Sequence, residues 1–560
     1  MRSALVILTA SVAALAVSAP AEQPPDLILF NGRIVTVDAA FSYGQAVAIR
    51  DGRFVGVGSD ADVRRLAGPG TKHADLRGRT VVPGLADNHL HGAGGGTGVD
   101  LSPARTVQEL LDAIAERARR VEPGELIVTN SDWHEGQLKE QRLPLRRDLD
   151  IAAPNNPLVV VRGGHEYILN SAALARWRIT KDTPQPDGGR IGRYDDGELN
   201  GELVDRAKDP VKLPAPPVRS FEQRIADQVA EYRTLHAAGL TTVRHPGGSI
   251  EQYRLIQEIK RRDRLDMRVV LLLRPDVRQS PGEMRAGLER SGVKPDEGDA
   301  WLRVGGIKLG VDGGFEGGWM REPYAEPWGE GGRYRGLNTM PAAEFTSIVR
   351  GLNRLGWRVW THAVGDAAVD EVLAGYEAAD ADKPIAGRRW GIEHAFIARP
   401  EHFPRMRKLG LGISAQNHLY LAGPVLAKYW GPERGGRTTP MRAFLDAGVP
   451  TSAGTDSPVV PYQPLAVIAH FVTRRTLSGA VMGPDQAISR EQALRASTIG
   501  NAWLSFEEDV KGSIEPGKHA DLVILSGDIM TCPADQIERL TVLLTMVGGR
   551  RVFEHPEFGK

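Results

Sequence analysis

Between residues 81 and 453 the chain repeats one unit, a short apolar run followed by a longer segment with helical periodicity. The apolar runs fall at 81–87, 240–244, 268–273, 302–309, 358–361, 390–392, 411–415 and 449–453. Segments such as 221–238, 342–355, 366–379 and 400–409 stand between them and carry their apolar residues at helical spacing. Short, continuously apolar strands suit a parallel sheet covered on both faces. Eight of them alternating with helices predict an α/β fold, a (β/α)8 TIM barrel, with a doubly wound sheet as the competing architecture.

The two ends of the chain follow another rule. Residues 26–38 and 45–57 alternate and break at Asn31-Gly32 and Asp51-Gly52, which are hairpin signals. Alternation returns at 520–525 and 542–552 around Gly548-Gly549. One small β-sandwich made from both termini is expected, from 22–80 and 510–560. The gap of about 150 residues between the first two apolar runs is too long for a βα loop. It is read as an inserted subdomain over 92–219 following the first barrel strand (81–91), with the rest of the barrel at 220–509.

Composition narrows the chemistry. Lys+Arg and Asp+Glu are equal at 70 each, which gives no electrostatic footprint for nucleic acid. The single cysteine, Cys532, leaves neither an intramolecular disulfide nor a thiolate metal cage. Metal binding, if present, falls to histidine and carboxylate. Met1-Arg2, an apolar run at 4–17 and Ala19-Pro20-Ala21 read as a signal peptide over 1–21. The expectation is an exported protein, periplasmic or secreted, with no membrane association after cleavage.

In a TIM barrel the carboxyl ends of the strands face the active site. Here those ends carry Asp87-Asn88-His89-Leu90-His91, Lys308 with Asp312 beyond it, Thr361-His362, Glu393-His394, and Gly454-Thr455-Asp456. Residues two apart on a strand point the same way, so His89 and His91 can grip one ion. Four histidines, a lysine and an aspartate thus converge on one rim from five strands. Neutral imidazole and carboxylate suit zinc and similar divalent ions. The glycine-rich run 92–98 lacks a following Lys-Ser or Lys-Thr, so it is not a phosphate loop.

These residues sit in motifs that resemble the amidohydrolase superfamily, and within it the amidohydrolase family 3 branch of N-substituted formamide deformylase-like proteins. The carriers are VVPGLADNHLH, GHEYILNSAAL, GIKLGVDGG, THAVGD, IEHA, SAQNH, GTDSPV and GSIEPGKHADLVIL, in that order. The resemblance implies that His89, His91, Lys308, His362, His394 and Asp456 hold the metal. It implies two ions, zinc first, with manganese, iron or cobalt compatible, and a Lys308 carbamate bridging them. Asp312 and Glu393 are read as groups that orient imidazoles rather than as ligands. Two segments depart from the branch, Val243-Arg244-His245-Pro246 where an acidic residue is usual, and Gln416-Asn417-His418 where Gln-Pro-His is frequent.

The implied reaction is hydrolysis of an amide, N-acyl or N-formyl C–N bond. A metal-acidified water attacks the carbonyl, Asp456 acts as general base and then acid, and His418, or failing that His245, steadies the oxyanion. His165, Tyr167, Asn170, Trp319 and Tyr324 are expected to contact substrate, together with Glu166 and Met320. Trp133-His134 is expected at the rim. The partner is a small molecule, neutral or partly hydrophobic, and a homo-oligomer is compatible with the sequence. An ester or lactone hydrolase would use the same site. A mononuclear deaminase would replace Lys308 and place a glutamate close after the fifth strand, where this chain has Asp366. A non-catalytic binding protein would have lost ligands that are all present here.

Overall fold

The computed structural model describes residues 23–215, 217–276, 279–325 and 332–559. The expected signal peptide lies outside them. Among the described residues an eight-stranded, all-parallel sheet runs in chain order. Its strands are β1 (Leu85–Asp87), β2 (Leu240–Gly248), β3 (Arg268–Leu273), β4 (Leu302–Gly310), β5 (Val359–Ala363), β6 (Gly391–His394), β7 (Gly412–Gln416) and β8 (Thr451–Gly454). Parallel pairing leads from β1 to β8 without interruption. The ring closes at its carboxyl end, where the Asp456 N–H donates to His89 O (2.7 Å) and the His91 N–H to Ser457 O (2.8 Å). This is a (β/α)8 barrel, and the doubly wound alternative falls.

Helices including Phe221–Ala237, Ile250–Arg261, Ala342–Arg354 and Asp366–Asp382 pack their apolar faces on the barrel. One large apolar core joins Val243, Val269, Ile307, Val359, Ile392 and Ile413 to helix residues such as Ile256, Phe345 and Tyr376. The helix Phe221–Ala237 starts at a capping box in which Ser220 and Gln223 satisfy each other's backbone N–H groups.

The first apolar run, 81–87, is a correction. It is two strands rather than one. Thr80–Pro83 pairs with Leu522–Leu525 and Arg33–Val35 in the terminal sheet, and only Leu85–Asp87 enters the barrel. Gly84 is the joint: a Cβ there would lie 2.2 Å from Thr241 Oγ1 on β2, so no side chain fits where the chain passes between sheets. The residues on both sides are buried, which is why the run reads as continuous.

Strands from both ends of the chain share a six-stranded sheet, and four further strands between Leu27 and Asp75 form a second. Leu29, Ile34, Phe54, Val81, Leu522 and Leu544 fill a common core. Arg268 on β3 fastens this unit to the barrel through a two-pronged pair with Asp521 (2.6 and 2.8 Å). Between β1 and β2 stands a five-stranded sheet of Ile127–Val128, Leu158–Arg162, Glu166–Leu169, Gly189–Arg193 and Leu199–Asp205. No helix among the described residues is long and apolar enough to cross a membrane.

Candidate active site

At the carboxyl rim Asp456 is the meeting point. Its Oδ1 lies 3.3 Å from His89 Nε2 and 3.2 Å from His91 Nε2, and its Oδ2 lies 3.1 Å from His418 Nε2. Among the described residues two groups have donor atoms close enough to share an ion: His89, His91 and Asp456, and His394, His418 and Asp456. His418 therefore stands inside the donor cluster. His362 sits against it, with ring centroids 4.5 Å from His394, while its Nε2 lies 3.1 Å from the Gly313 carbonyl.

The imidazoles are held by fixed partners. His89 Nδ1 donates to Glu393 Oε2 (2.8 Å) and His394 Nδ1 to Gln416 Oε1 (2.7 Å), so in both rings Nε2 keeps its lone pair. Gln416 is itself fixed by donating to Ser414 Oγ (2.8 Å) and Asn88 Oδ1 (3.2 Å). Asp312 accepts from the Trp319 and Gly365 N–H groups (both 2.9 Å) and lies 3.4 Å from His362 Nε2. Glu393 thus stands behind the His89 ring, whereas the hydrogen bond on His362 goes to the Gly313 carbonyl and Asp312 lies beside that ring without bonding it.

Electrostatics favour neutral ligands. Burial pushes His89 down to about 4, with the Lys308 ammonium adding to the effect, and carries His362 and His394 well below the usual imidazole range. Burial opposes ionisation of Asp456, but the surrounding imidazoles, His89 first, hold its carboxyl well below the usual range. Burial also lowers Lys308 to about 8, against the pull of Glu393 and Asp456. Buried, preoriented nitrogen lone pairs around an ionised carboxylate fit a divalent cation.

Arg244, a departure at sequence level, has a structural role. Its guanidinium pairs with Glu393 (2.7 Å), donates to Asn88 O (2.9 Å) and lies over Trp360 at 4.2 Å. His245, the second oxyanion candidate, packs edge-on against His91 with ring centroids 5.9 Å apart and has its Nε2 against Gln252 (3.2 Å), beside a cavity of about 30 Å³ that His91 also lines.

The expected substrate contacts divide. His165 lies beside the cluster, its ring centroid 5.4 Å from that of His362. Trp319 follows Asp312 and is half-buried, its N–H bonded to that carboxylate. Asn170 is a correction: its amide accepts from the Leu158 and Ala173 N–H groups and donates to the Ala153 and Asn156 carbonyls, leaving nothing for a substrate. Tyr324 is another. It is buried and its hydroxyl donates to the Gly318 carbonyl (2.7 Å). Tyr167 packs in the insertion's own core under Lys208. Glu166 is buried beside Arg162 (3.2 Å), Met320 is buried, and Trp133 and His134 are buried rather than at the rim. Asp366 spends its carboxylate on Arg321 N–H, Ala367 N–H and Arg399, so no carboxylate there is free to shuttle a deaminase proton.

A closed parallel barrel with a histidine–carboxylate donor cluster at its carboxyl rim defines a metal-dependent hydrolase. The model of the amidohydrolase family matches residues 72–553, and the chain belongs to that family. It is an enzyme of the metal-dependent class that hydrolyses carbon–nitrogen bonds other than peptide bonds. It is 32% identical over 548 residues to N-substituted formamide deformylase of Arthrobacter pascens, covering 94% of this chain and 98% of that one. It is 29% identical to Protein LONG AFTER FAR-RED 3 of Arabidopsis thaliana, covering 95% and 92%. Among solved structures, an uncharacterized metal-dependent hydrolase from Pyrococcus furiosus superposes with a TM-score of 0.64 at 25% identity, covering 90% of this chain and all of that one. One from Pyrococcus horikoshii superposes at 0.66 and 23%, covering 91% and 99%, a likeness of fold.

Proposed function

We propose that the protein hydrolyses the C–N bond of a small N-acyl or N-formyl amide, and that it does so as an exported enzyme. The observation that carries the chemistry is Asp456, whose two carboxylate oxygens lie 3.1–3.3 Å from three imidazole nitrogens. His89, His91, His394 and Asp456 would hold the metal, joined by His362 and by Lys308 as its carbamate. Two divalent ions are proposed, zinc first. Bound there, they would supply Lewis-acid polarisation of the carbonyl and acidification of the attacking water.

The chain's own residues do the rest. Asp456 takes the proton of the attacking water and delivers it to the departing nitrogen. His418, buried and with Nε2 3.1 Å from Asp456, would donate to the carbonyl oxygen as its negative charge grows. Glu393 and Gln416 keep His89 and His394 in the tautomer that leaves Nε2 available. Lys308, brought to about 8 by burial, reaches the neutral amine that can add carbon dioxide, forming an N–C bond and releasing one proton.

A screen of metal-loaded protein against N-formyl, N-acyl and cyclic amides and matched esters tests the reading. Turnover of amides is expected; turnover of esters alone would replace it with an esterase. Carbon-13 bicarbonate should give a carbamate resonance that K308R lacks. N-terminal sequencing of protein recovered from outside the cytoplasm should begin near Glu22; an intact Met1 on cytoplasmic protein would overturn export.

A further inference from the structure

Beside His362 stand two residues of the insertion, His165 against its ring and Asp205 behind His165. His165 stands in the turn between Leu158–Arg162 and Glu166–Leu169, and Asp205 ends the strand Leu199–Asp205. The Asp205 N–H donates to His165 O (2.8 Å), and His165 Nδ1 donates to Asp205 Oδ1 (2.6 Å). Asp205 holds a left-handed backbone (φ 48°, ψ −117°), a conformation a non-glycine residue keeps only when its surroundings enforce it.

The loop after β4 is shaped around this pair. A Cβ on Gly313 would lie 2.1 Å from Asp205 Oδ2, one on Gly317 2.7 Å from the same oxygen, and one on Gly314 3.0 Å from the His165 ring. Glycine lets the loop close against both side chains. The His165 side chain remains 35% exposed while that of Asp205 is 11% exposed. With Nδ1 committed to Asp205 in either protonation state, Nε2 is the ring nitrogen left for a substrate. His362 ends β5 and Asp456 follows β8, three strands away in the ring of eight, so His165, beside His362, stands on a different arc of the barrel mouth from Asp456.

On the amide-hydrolase reading given above, Asp456 serves the departing nitrogen, which leaves a group on another arc of the mouth to face the other substituent of the carbonyl. We propose that the His165–Asp205 pair reads the acyl portion of the substrate, His165 by a hydrogen bond between Nε2 and a polar acyl substituent, and Asp205 as the positioning residue for His165. The pair would favour acyl groups with a polar atom near the carbonyl over plain ones of the same length.

Matched amides sharing one amine, acetyl against hydroxyacetyl, read this directly. H165A should lower kcat/KM for the hydroxyacetyl amide by about three- to tenfold more than for the acetyl amide, the worth of one hydrogen bond. D205A should reproduce that loss, and H165A/D205A should be no worse than H165A alone. Changing the amine at a fixed acyl group should move the wild type and H165A together. An equal loss on all substrates, or selectivity that follows the amine, would overturn the proposal. If metal-loaded wild type hydrolyses no amide, it is the reaction reading that fails. Calorimetric binding of glycolate against acetate then decides the acyl proposal, which requires H165A to lose a glycolate preference that the wild type shows; no such preference, or one that H165A keeps, would overturn it.

Discussion

Glu393 lies behind His89, its Oε2 accepting from Nδ1 at 2.8 Å while its other oxygen meets the Arg244 guanidinium at 2.7 Å. Burial opposes the charge on Glu393, but Arg244 and Lys308 outweigh it and hold the carboxyl well below its usual range. One carboxylate therefore sets the tautomer of a candidate ligand and neutralises a buried cation. Glu393→Ala should destabilise the fold by about 3–5 kcal/mol, because it strands Arg244. Glu393→Gln should fold better yet lose about 10–100-fold in metal affinity. Denaturant unfolding and competition with a metal-chelating dye measure the two effects separately. A Gln variant with unchanged metal affinity would remove Glu393 from the site.

Asp456→Asn keeps the shape of the side chain and removes its capacity as a base. Turnover should fall by about 10²–10⁴-fold, with the unfolding transition retained. Steady-state rates alongside thermal unfolding check it, and activity above a few per cent would sink the general-base role.

Asn170 and Tyr324 are spent on backbone and packing, so their loss should register in stability and not in catalysis. Asn170→Ala leaves four buried backbone groups without a partner and should cost at least about 2 kcal/mol. Its kcat/KM at a permissive temperature should match the wild type. A loss of kcat/KM with unchanged stability would return Asn170 to the substrate pocket.

The Arg268–Asp521 pair, which joins the barrel to the terminal sheets, sets an acid limit. Burial raises the Asp521 pKa, but Arg268 dominates and leaves it below the unfolded value. A depressed folded pKa gives stability that is full above the unfolded pKa, near 3.9, and fades as pH falls through the folded value. Asp521→Asn should flatten the loss of stability below about pH 4 and lower stability at neutral pH. Unfolding free energies measured from pH 7 to 3 decide it; parallel curves for the two proteins would contradict this account.

How much of this was legible depends on the kind of signal. His89, His91, His362, His394 and Asp456 could be found because the apolar runs fixed the strand ends independently of the histidines. The split at Gly84 was hidden, since 80–83 and 85–87 are equally apolar and their parting depends on Thr241, more than 150 residues away. Asn170 and Tyr324 looked functional because polar side chains in motif-bearing segments carry no mark of where their hydrogen bonds go. Asp205 carried no signal at all. Its partner lies 40 residues upstream and its glycine cradle more than 100 downstream, so only the folded chain brings them together.

The central claim is that Asp456 and its imidazoles hold the metal on which C–N hydrolysis depends. Elemental analysis of the purified protein, with amide turnover followed through chelation and reconstitution, tests it most directly. The account predicts close to two divalent ions per chain, turnover abolished on their removal and restored on their return, and fewer ions in H394A. Undiminished hydrolysis by metal-free protein would contradict it.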